Sequence, residues 1–566
     1  MGRNALITIF AIFGIVTGIA YISTIPATIR ESAVTNTTSS YIVRGETMEA
    51  VATAIRSVNG EITHELNIIN GVAATLNTAQ HKALQSDPAV LQVSDDSEVK
   101  TAGGVSGGSS GAYHEFPGLV NADLLHAEGV SGGSVTVAIL DSGMHAQAEL
   151  QKDTNGVTRV VDRYNAITGV QGEILLDKYG HGSHLTSIIL NTDYADDGTM
   201  RRNSIAPDVK IVPVKAFNKT GNGSYASVID GLDWILNHKE QYNIRVLNLS
   251  FSAPAVSHYW DDPINQAVMK LWQAGVVVVA SAGNAGPDAM TIGVPGNNPY
   301  VITVGAMSDN YTPADPSDDV LASFSSAGPT VEGFVKPEIV APGGHMVART
   351  RLKSKIARQH PEFHDNGYYF TMSGTSQAAA VISGVAALVL DANPGMSADD
   401  VKCRIIASAK PAVDSNGKLA YSVFQQGAGM VDAYAAVHGT ASGCANRGLD
   451  INQDITGQIH YGGRANVDEN GNYYIMGLEG YLWTNGYLWT NGYLWTNGYL
   501  WTNGYLWTDA YLWTDGSIGA NGYLWTDGYL WTNGYLWTNG YLWTNGYLWT
   551  NGLTEAAGVN HWVTQE

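Results

Sequence analysis

Met372-Ser373-Gly374-Thr375-Ser376-Gln377-Ala378-Ala379-Ala380 is a small-residue turn that runs straight into an apolar segment, residues 378–390. Nearly every residue from 376 to 390 is small or apolar, which predicts a helix buried on all sides rather than an amphipathic surface helix. The segment is too short to span a bilayer. A helix buried this way needs polar partners for its first N–H groups, and the positive end of its dipole favours developing negative charge. Ser376 at that end, preceded by Gly374 so that a substrate can approach the backbone, suits acyl transfer. Taken alone, Gly-Thr-Ser reads as an ordinary serine N-cap, so the decision rests on partners elsewhere in the chain.

Three other short stretches supply candidates. Asp141-Ser142-Gly143 follows an apolar run at residues 135–140. A carboxylate at the end of a strand is well placed to orient an imidazole, although a lone turn Asp is commonplace. Gly180-His181-Gly182-Ser183-His184 opens an apolar helix at 185–190, and the flanking glycines leave the His181 ring reachable as a general base. His181 and His184 at i and i+3 have no companion helical Glu, which argues against zinc. Ser281-Ala282-Gly283-Asn284 follows the run 276–280, where the Asn284 amide can donate to an oxyanion or simply serve a turn before Ala285-Gly286-Pro287. Together the four supply nucleophile, base, orienter and oxyanion donor.

These residues lie in a region, about 116–437, where β-branched runs alternate with longer helical patterns. Strands are expected at 135–140, 210–214, 245–249, 276–280, 301–304 and 337–340, with helices at 225–238, 264–274 and 376–390. Continuous apolar strands separated by helices predict an α/β fold, a parallel sheet covered on both faces with ligands beyond the strands' carboxyl ends.

The motifs around Asp141, His181 and Ser376, in that order, resemble the subtilase family of subtilisin-like serine endopeptidases. Supporting matches are Val246-Leu247-Asn248-Leu249-Ser250, Ser281-Ala282-Gly283-Asn284, Phe324-Ser325-Ser326, Lys336-Pro337-Glu338-Ile339-Val340-Ala341-Pro342-Gly343 and Gly427-Ala428-Gly429-Met430-Val431-Asp432-Ala433. The resemblance implies a three-layer subtilisin-like fold with a mainly parallel central sheet. It makes Ser376 the nucleophile, His181 the base, Asp141 its orienter, and Asn284 with the Ser376 N–H the oxyanion donors. Loss of such an amide donor costs roughly 100- to 1000-fold in turnover, a magnitude established on subtilisin itself. Substrate contacts fall to Ser250, Phe251, Ser252, Gly283 and Gly293. Ser250-Phe251-Ser252 stands where the family usually has Ser-Leu-Gly, implying a bulkier wall, and Gly293 implies a roomy apolar pocket with broad preference for large apolar P1 residues. Ser183, Gln377 and Ala380 replace the family's usual Thr, Met and Pro without removing a reacting group. No cofactor is expected for catalysis and no catalytic metal; structural calcium is frequent in the family, and the acidic loops 193–197 and 315–319 are candidates without an assigned site.

The rest of the chain surrounds this region with other units. Arg3, the apolar run 5–16 and Gly18-Ile19-Ala20 read as a secretory signal at 1–20, the alternative being an uncleaved anchor, followed by a spacer at 21–40. Residues 41–100 mix strand and helix signals and resemble the family's inhibitory pro-domain, a small ferredoxin-like α+β unit, on Ile62-Thr63-His64-Glu65, Asn70-Gly71-Val72-Ala73-Ala74 and Asp87-Pro88-Ala89-Val90. A Gly/Ser linker at 101–115 offers the maturation cut. The peptidase region is set at 116–440 and a linker at 441–480. Residues 481–552 then repeat Tyr-Leu-Trp-Thr-Asn/Asp-Gly every six residues, and a tail occupies 553–566. Eleven copies keep Tyr-Leu-Trp-Thr and one, residues 517–522, is degenerate but six residues long. Strand-formers followed by Asn-Gly predict a β-rich array, either solenoid or tight meander, whose aromatics suit carbohydrate or a cell surface or pair with one another in assembly; the alternative is a low-complexity tail without a stable fold.

With 566 residues and a net charge of −21, the chain has material for several domains and argues against a nucleic-acid partner. Protein or peptide substrates, the chain's own pro-domain as inhibitor, and a secreted or cell-surface location complete the expectation. The contrasting reading is a surface binding or assembly protein with an inactive subtilase fold. Cys403 and Cys444 are either paired, closing a loop worth about 4 kcal/mol, or two buried thiols.

Overall fold

The computed structural model describes residues 37–101, 115–195, 201–312, 315–414, 418–468 and 471–475, and the backbone of twelve short strands within 482–550. The signal at 1–20, most of the spacer, nearly all of the Gly/Ser linker and the tail at 553–566 lie outside the described residues.

The central sheet runs in the order Val320–Leu321, Ile302–Ser308, Val277–Ser281, Ile244–Leu249, Thr136–Asp141, Lys210–Lys215, Tyr164–Asn165, Val170–Gln171, and Ile339–Pro342 also pairs with Ile302–Ser308. Its inner pairings are all parallel, and antiparallel pairing occurs only at its two ends. The six expected strands are all present, each shifted by no more than a few residues at its ends. Their inner positions are mostly apolar because helices cover both faces of the sheet; Val277–Ser281 and Ile302–Ser308 are buried at every position.

Helix Thr375–Ala392 is buried from Thr375 to Leu390 and packs against the central strands and helix His181–Leu190. At 18 residues it is longer than its apolar run indicated and long enough to cross a membrane, yet 89% of it is buried inside the protein. The cap position is Gly374, so Ser376 lies inside the first turn and is not an N-cap.

Ahead of this domain, Thr38–Arg44, Met48–Ser57, Glu61–Leu66, Gly71–Asn77, Thr78–Leu84 and Gln92–Asp95 form a βαββαβ unit, with its four strands in the order second, third, first, fourth. Strand Gly71–Asn77, Gly-Val-Ala-Ala-Thr-Leu-Asn, is poor in strand-formers. Its central place, paired antiparallel on both sides and mostly buried, overrides that propensity.

Beyond residue 440 the chain stays on the core. Cys403 and Cys444 form a disulfide with Cα atoms 5.2 Å apart, tying the segment to helix Ala398–Ala407. Helix Ile451–Ile455 carries the buried Asp454, which accepts from the hydroxyls of Tyr259 at 2.6 Å and Tyr300 at 2.9 Å. The first part of the expected linker is therefore packed structure, anchored by a carboxylate that its polar sequence did not advertise. In the repeats each described strand has the form Leu-Trp-Thr, save Ile518–Ala520, and pairs in parallel with strands eighteen residues before or after it. Three four-stranded sheets result.

One acidic loop offers a test of electrostatics. Burial first, and then the neighbouring Asp309, Asp318 and Asp315, push the Asp319 carboxyl up to about 7. A carboxyl raised in the folded state binds a proton that the unfolded chain releases, so its contribution to stability declines as pH rises from about 4 to 7. Asp319→Asn removes that loss. A thermal melt of the variant at pH 8 should therefore show Tm raised by roughly 2 °C or more, the gain shrinking as pH is lowered toward 4. An unchanged or lower Tm at pH 8 would mean that the carboxylate is otherwise compensated.

Candidate active site

Each candidate residue sits where an element begins or ends. Asp141 closes strand Thr136–Asp141, His181 opens helix His181–Leu190, Asn284 follows strand Val277–Ser281, and Ser376 lies in the first turn of Thr375–Ala392. His181 Nδ1 lies 2.9 Å from both Asp141 oxygens, and both residues are essentially without exposure. Gly182 permits this approach, because a side chain there would meet the Gly143 carbonyl at 2.3 Å and Asp141 Oδ1 at 3.1 Å. His181 Nε2 is the other ring nitrogen, with no hydrogen-bond partner among the described residues.

Ser376 Oγ donates to the Ser250 carbonyl at 3.0 Å, while Ser250 Oγ donates to the Ser376 carbonyl at 3.0 Å. The helix start is thereby fastened to the strand end at Ser250. Asn284 Oδ1 accepts from the Thr375 N–H at 3.0 Å and the Thr375 hydroxyl at 2.8 Å, and that hydroxyl accepts from the Gly283 N–H at 3.2 Å. With its oxygen held by Thr375, the amide presents its NH2 on the opposite side. Thr375 was not singled out in the sequence, because a Thr beside a Ser carries no signal of which backbone it will meet.

A second network fixes the turn that carries His181. Asp177 is buried and accepts from Ser142 Oγ at 2.9 Å, Gly180 N at 2.7 Å, Tyr179 N at 3.1 Å, and both the N–H and hydroxyl of Ser183 at 2.8 Å. Burial alone would raise its carboxyl, but His145 and these donors hold it below the usual range. Ser183 keeps the hydroxyl function at a position where Thr is usual, and also accepts from the His145 N–H at 2.9 Å. His184 donates to the carbonyls of Met346 and Phe370, at 3.2 and 3.0 Å, and burial pushes its ring down to about 3. It is a neutral core histidine committed to backbone carbonyls. Gln377 Nε2 lies 3.5 Å from His184 Nδ1, so the substituted position faces this ring.

The expected substrate residues divide. Ser252 and Ala253 border Gly293 and Val294, the backbones of Ala253 and Val294 exchanging bonds at 3.0 and 2.8 Å. Phe251 is fully buried against Phe217, with ring centroids 5.4 Å apart, so its ring belongs to the core. Gly283 has φ +108° and faces the hydroxyls of Ser326 and Ser252. Gly293 faces the Ser252 hydroxyl, which would lie 2.0 Å from a Cβ there. The Ser252 hydroxyl thus occupies the space beside Gly293.

Residues 132–429 match the family described as the subtilase family. The chain belongs to the subtilase family of serine endopeptidases. Among relatives, this subtilase is 37% identical over 278 residues to serine protease AprX of Bacillus subtilis (strain 168), covering 48% of this chain and 60% of that one. It is 30% identical over 321 residues to subtilisin DY of Bacillus licheniformis, covering 56% and 96%. The chain thus spans well under two thirds of AprX but nearly all of subtilisin DY. Fervidolysin from Fervidobacterium pennivorans, a solved keratinolytic enzyme related to subtilisin, superposes with a TM-score of 0.55 at 22% identity, covering 72% of this chain and 62% of that one. That likeness concerns the fold.

Thr375→Val tests the subtilase's Asn284 clamp, since it deletes the hydroxyl while keeping the shape. Turnover is expected to fall by about tenfold with KM little changed, the loss lying in the transition state alone. Equal losses in kcat and affinity would instead indicate a displaced helix start.

Proposed function

We propose that this subtilase is an exported serine endopeptidase made as a self-processing zymogen. The observation that carries the reading is the path of Glu98–Thr101. This strand lies between Asn222–Ser224 and Phe251–Ser252, antiparallel to both. A peptide held in that way by backbone bonds on both sides is bound as a substrate would be, by strand addition. It enters from the βαββαβ unit, whose strand order is ferredoxin-like. That unit also docks on the peptidase domain through Asn67 N–H to Asp233 at 3.2 Å and Ala226 N–H to Asp96 at 2.9 Å. As an inhibitory pro-domain, it would block the cleft until the chain is cut within 101–115.

In the chemistry proposed, Ser376 Oγ turns from the Ser250 carbonyl toward His181, gives its proton to Nε2 and attacks the scissile carbonyl. Asp141 holds the imidazolium through Nδ1. Asn284 Nδ2 and the Ser376 N–H stabilise the oxyanion at the positive end of the helix. His181 then protonates the leaving amine as the C–N bond breaks, and water repeats the cycle on the acyl-enzyme. Substrates are proteins or peptides with large apolar P1 side chains, admitted by a pocket that Ser252 narrows. The reaction as written needs no cofactor; a structural calcium ion remains part of the proposal without an assigned site.

The repeat array is read as a β-solenoid of three hexapeptides per turn. Parallel pairing between strands eighteen residues apart supports this over a meander, whose neighbours would pair antiparallel in sequence order. Its proposed partner is carbohydrate or a cell surface.

Two measurements test these readings. Fluorophosphonate labelling followed by mass analysis should give a labelled product cut within 101–115, and Ser376→Ala should accumulate unlabelled and uncut. A wild-type protein that neither labels nor processes would sink the enzyme reading. Separately, Ser252→Gly should raise kcat/KM for Phe over Ala at P1 by about fivefold, within the range that one pocket group controls; an unchanged ratio would remove Ser252 from the pocket.

A further inference from the structure

Beside the His181 loop lies a cavity of about 570 Å³ lined by His145, Asp177, Thr220 and six cationic side chains. Its charge runs against the rest of the molecule. The chain has 30 Lys and Arg and a net charge of −21, yet six of those cations converge here. Lys178, Lys219, Arg351, Lys353, Lys355 and Arg358 form no ion pair with a carboxylate among the described residues. The one acidic lining residue, Asp177, spends both oxygens on the internal donors already described. Like charges gathered without partners repel one another, so the arrangement favours an anion between them.

A buried group points the same way. His145 is 3% exposed, lines the cavity, and its Nε2 has no hydrogen-bond partner among the described residues. A buried ring nitrogen left unpaired costs free energy that a ligand can recover.

The position of the cavity indicates what the anion belongs to. Lys178 adjoins Tyr179, whose hydroxyl is bonded to Thr101, and Thr220 adjoins Gly221, whose carbonyl accepts from the Thr101 N–H at 3.3 Å. Both walls therefore touch the slot that Glu98–Thr101 fills. Four of the cations come from 351–358, where Lys355 and Ile356 N–H groups donate to the Lys178 and Tyr179 carbonyls at 2.9 and 3.1 Å, clasping the segment to the catalytic loop. We propose that this cavity is an acidic-residue subsite, in which a Glu or Asp side chain of the peptide substrate, on the amino-terminal side of the scissile bond, is held by these cations and His145. The inference rests on the proteolytic reading and adds a second determinant to the apolar P1 pocket.

The test uses matched fluorogenic peptides carrying Glu or Gln at each of the four positions before a common scissile bond, with the mature enzyme. At one position the Glu peptide should exceed its Gln partner in kcat/KM by about tenfold at low salt, and the advantage should shrink at 1 M NaCl. Lys353→Glu/Arg358→Glu, both exposed positions, should bring the ratio to one or below. In parallel, anisotropy of the same labelled peptides with Ser376→Ala reads binding without turnover and should show the same Glu preference. Cleavage of both peptides at equal efficiency at all four positions, with equal binding, overturns the subsite and leaves the protease standing. Preferential binding of the Glu peptide with no cleavage of either supports the subsite and overturns the protease.

Discussion

The N-terminus of a wholly buried helix is the constraint on which the structure turns. Thr375–Ala392 cannot expose its first N–H groups to bulk water, so the neighbouring strand ends must supply acceptors. Asn284 Oδ1 takes the Thr375 N–H, and the Ser250 carbonyl takes the Ser376 hydroxyl. Asn284 and Ser250 thereby fasten the helix start and flank Ser376, so neither can move without disturbing both the helix and the candidate site.

The opposite side of the site is organised by a second buried group. Asp177 gathers the donors of the Tyr179–Ser183 turn, while Ser142 bridges back to Gly182 at 3.0 Å. Since five donors converge on one carboxylate, the turn has little freedom, and the His181 ring inherits its position. The replacement of the usual Thr by Ser at 183 retains the hydroxyl that this network uses, which explains why it leaves the geometry intact.

Much of this was legible because parallel strands buried on both faces are largely apolar, and polar residues at or just beyond their ends, Asp141, Asn248 and Asn284, interrupt that pattern. What escaped has a common physical cause. Gly71–Asn77 is a strand by virtue of two neighbours distant in sequence. Asp454 is buried because two tyrosine hydroxyls await it. The basic cavity is assembled from four separate segments, and residues 351–358 look in sequence like an ordinary solvated charge run. Pairing between remote segments leaves no local period to read.

The repeat array shows the converse, a structure whose demand is almost wholly local. In parallel stacks each strand must meet its partner eighteen residues away at one register, since a one-residue slip would turn every side chain to the other face. The unit at 517–522 has lost Tyr, Leu, Trp and Thr, yet Ile518–Ala520 still pairs with Leu500–Thr502 on one side and Leu536–Thr538 on the other. Its six-residue length is what the stack requires. A substitution leaves that register in place, whereas an insertion or deletion would shift every later strand, so length is the more tightly constrained property of the two.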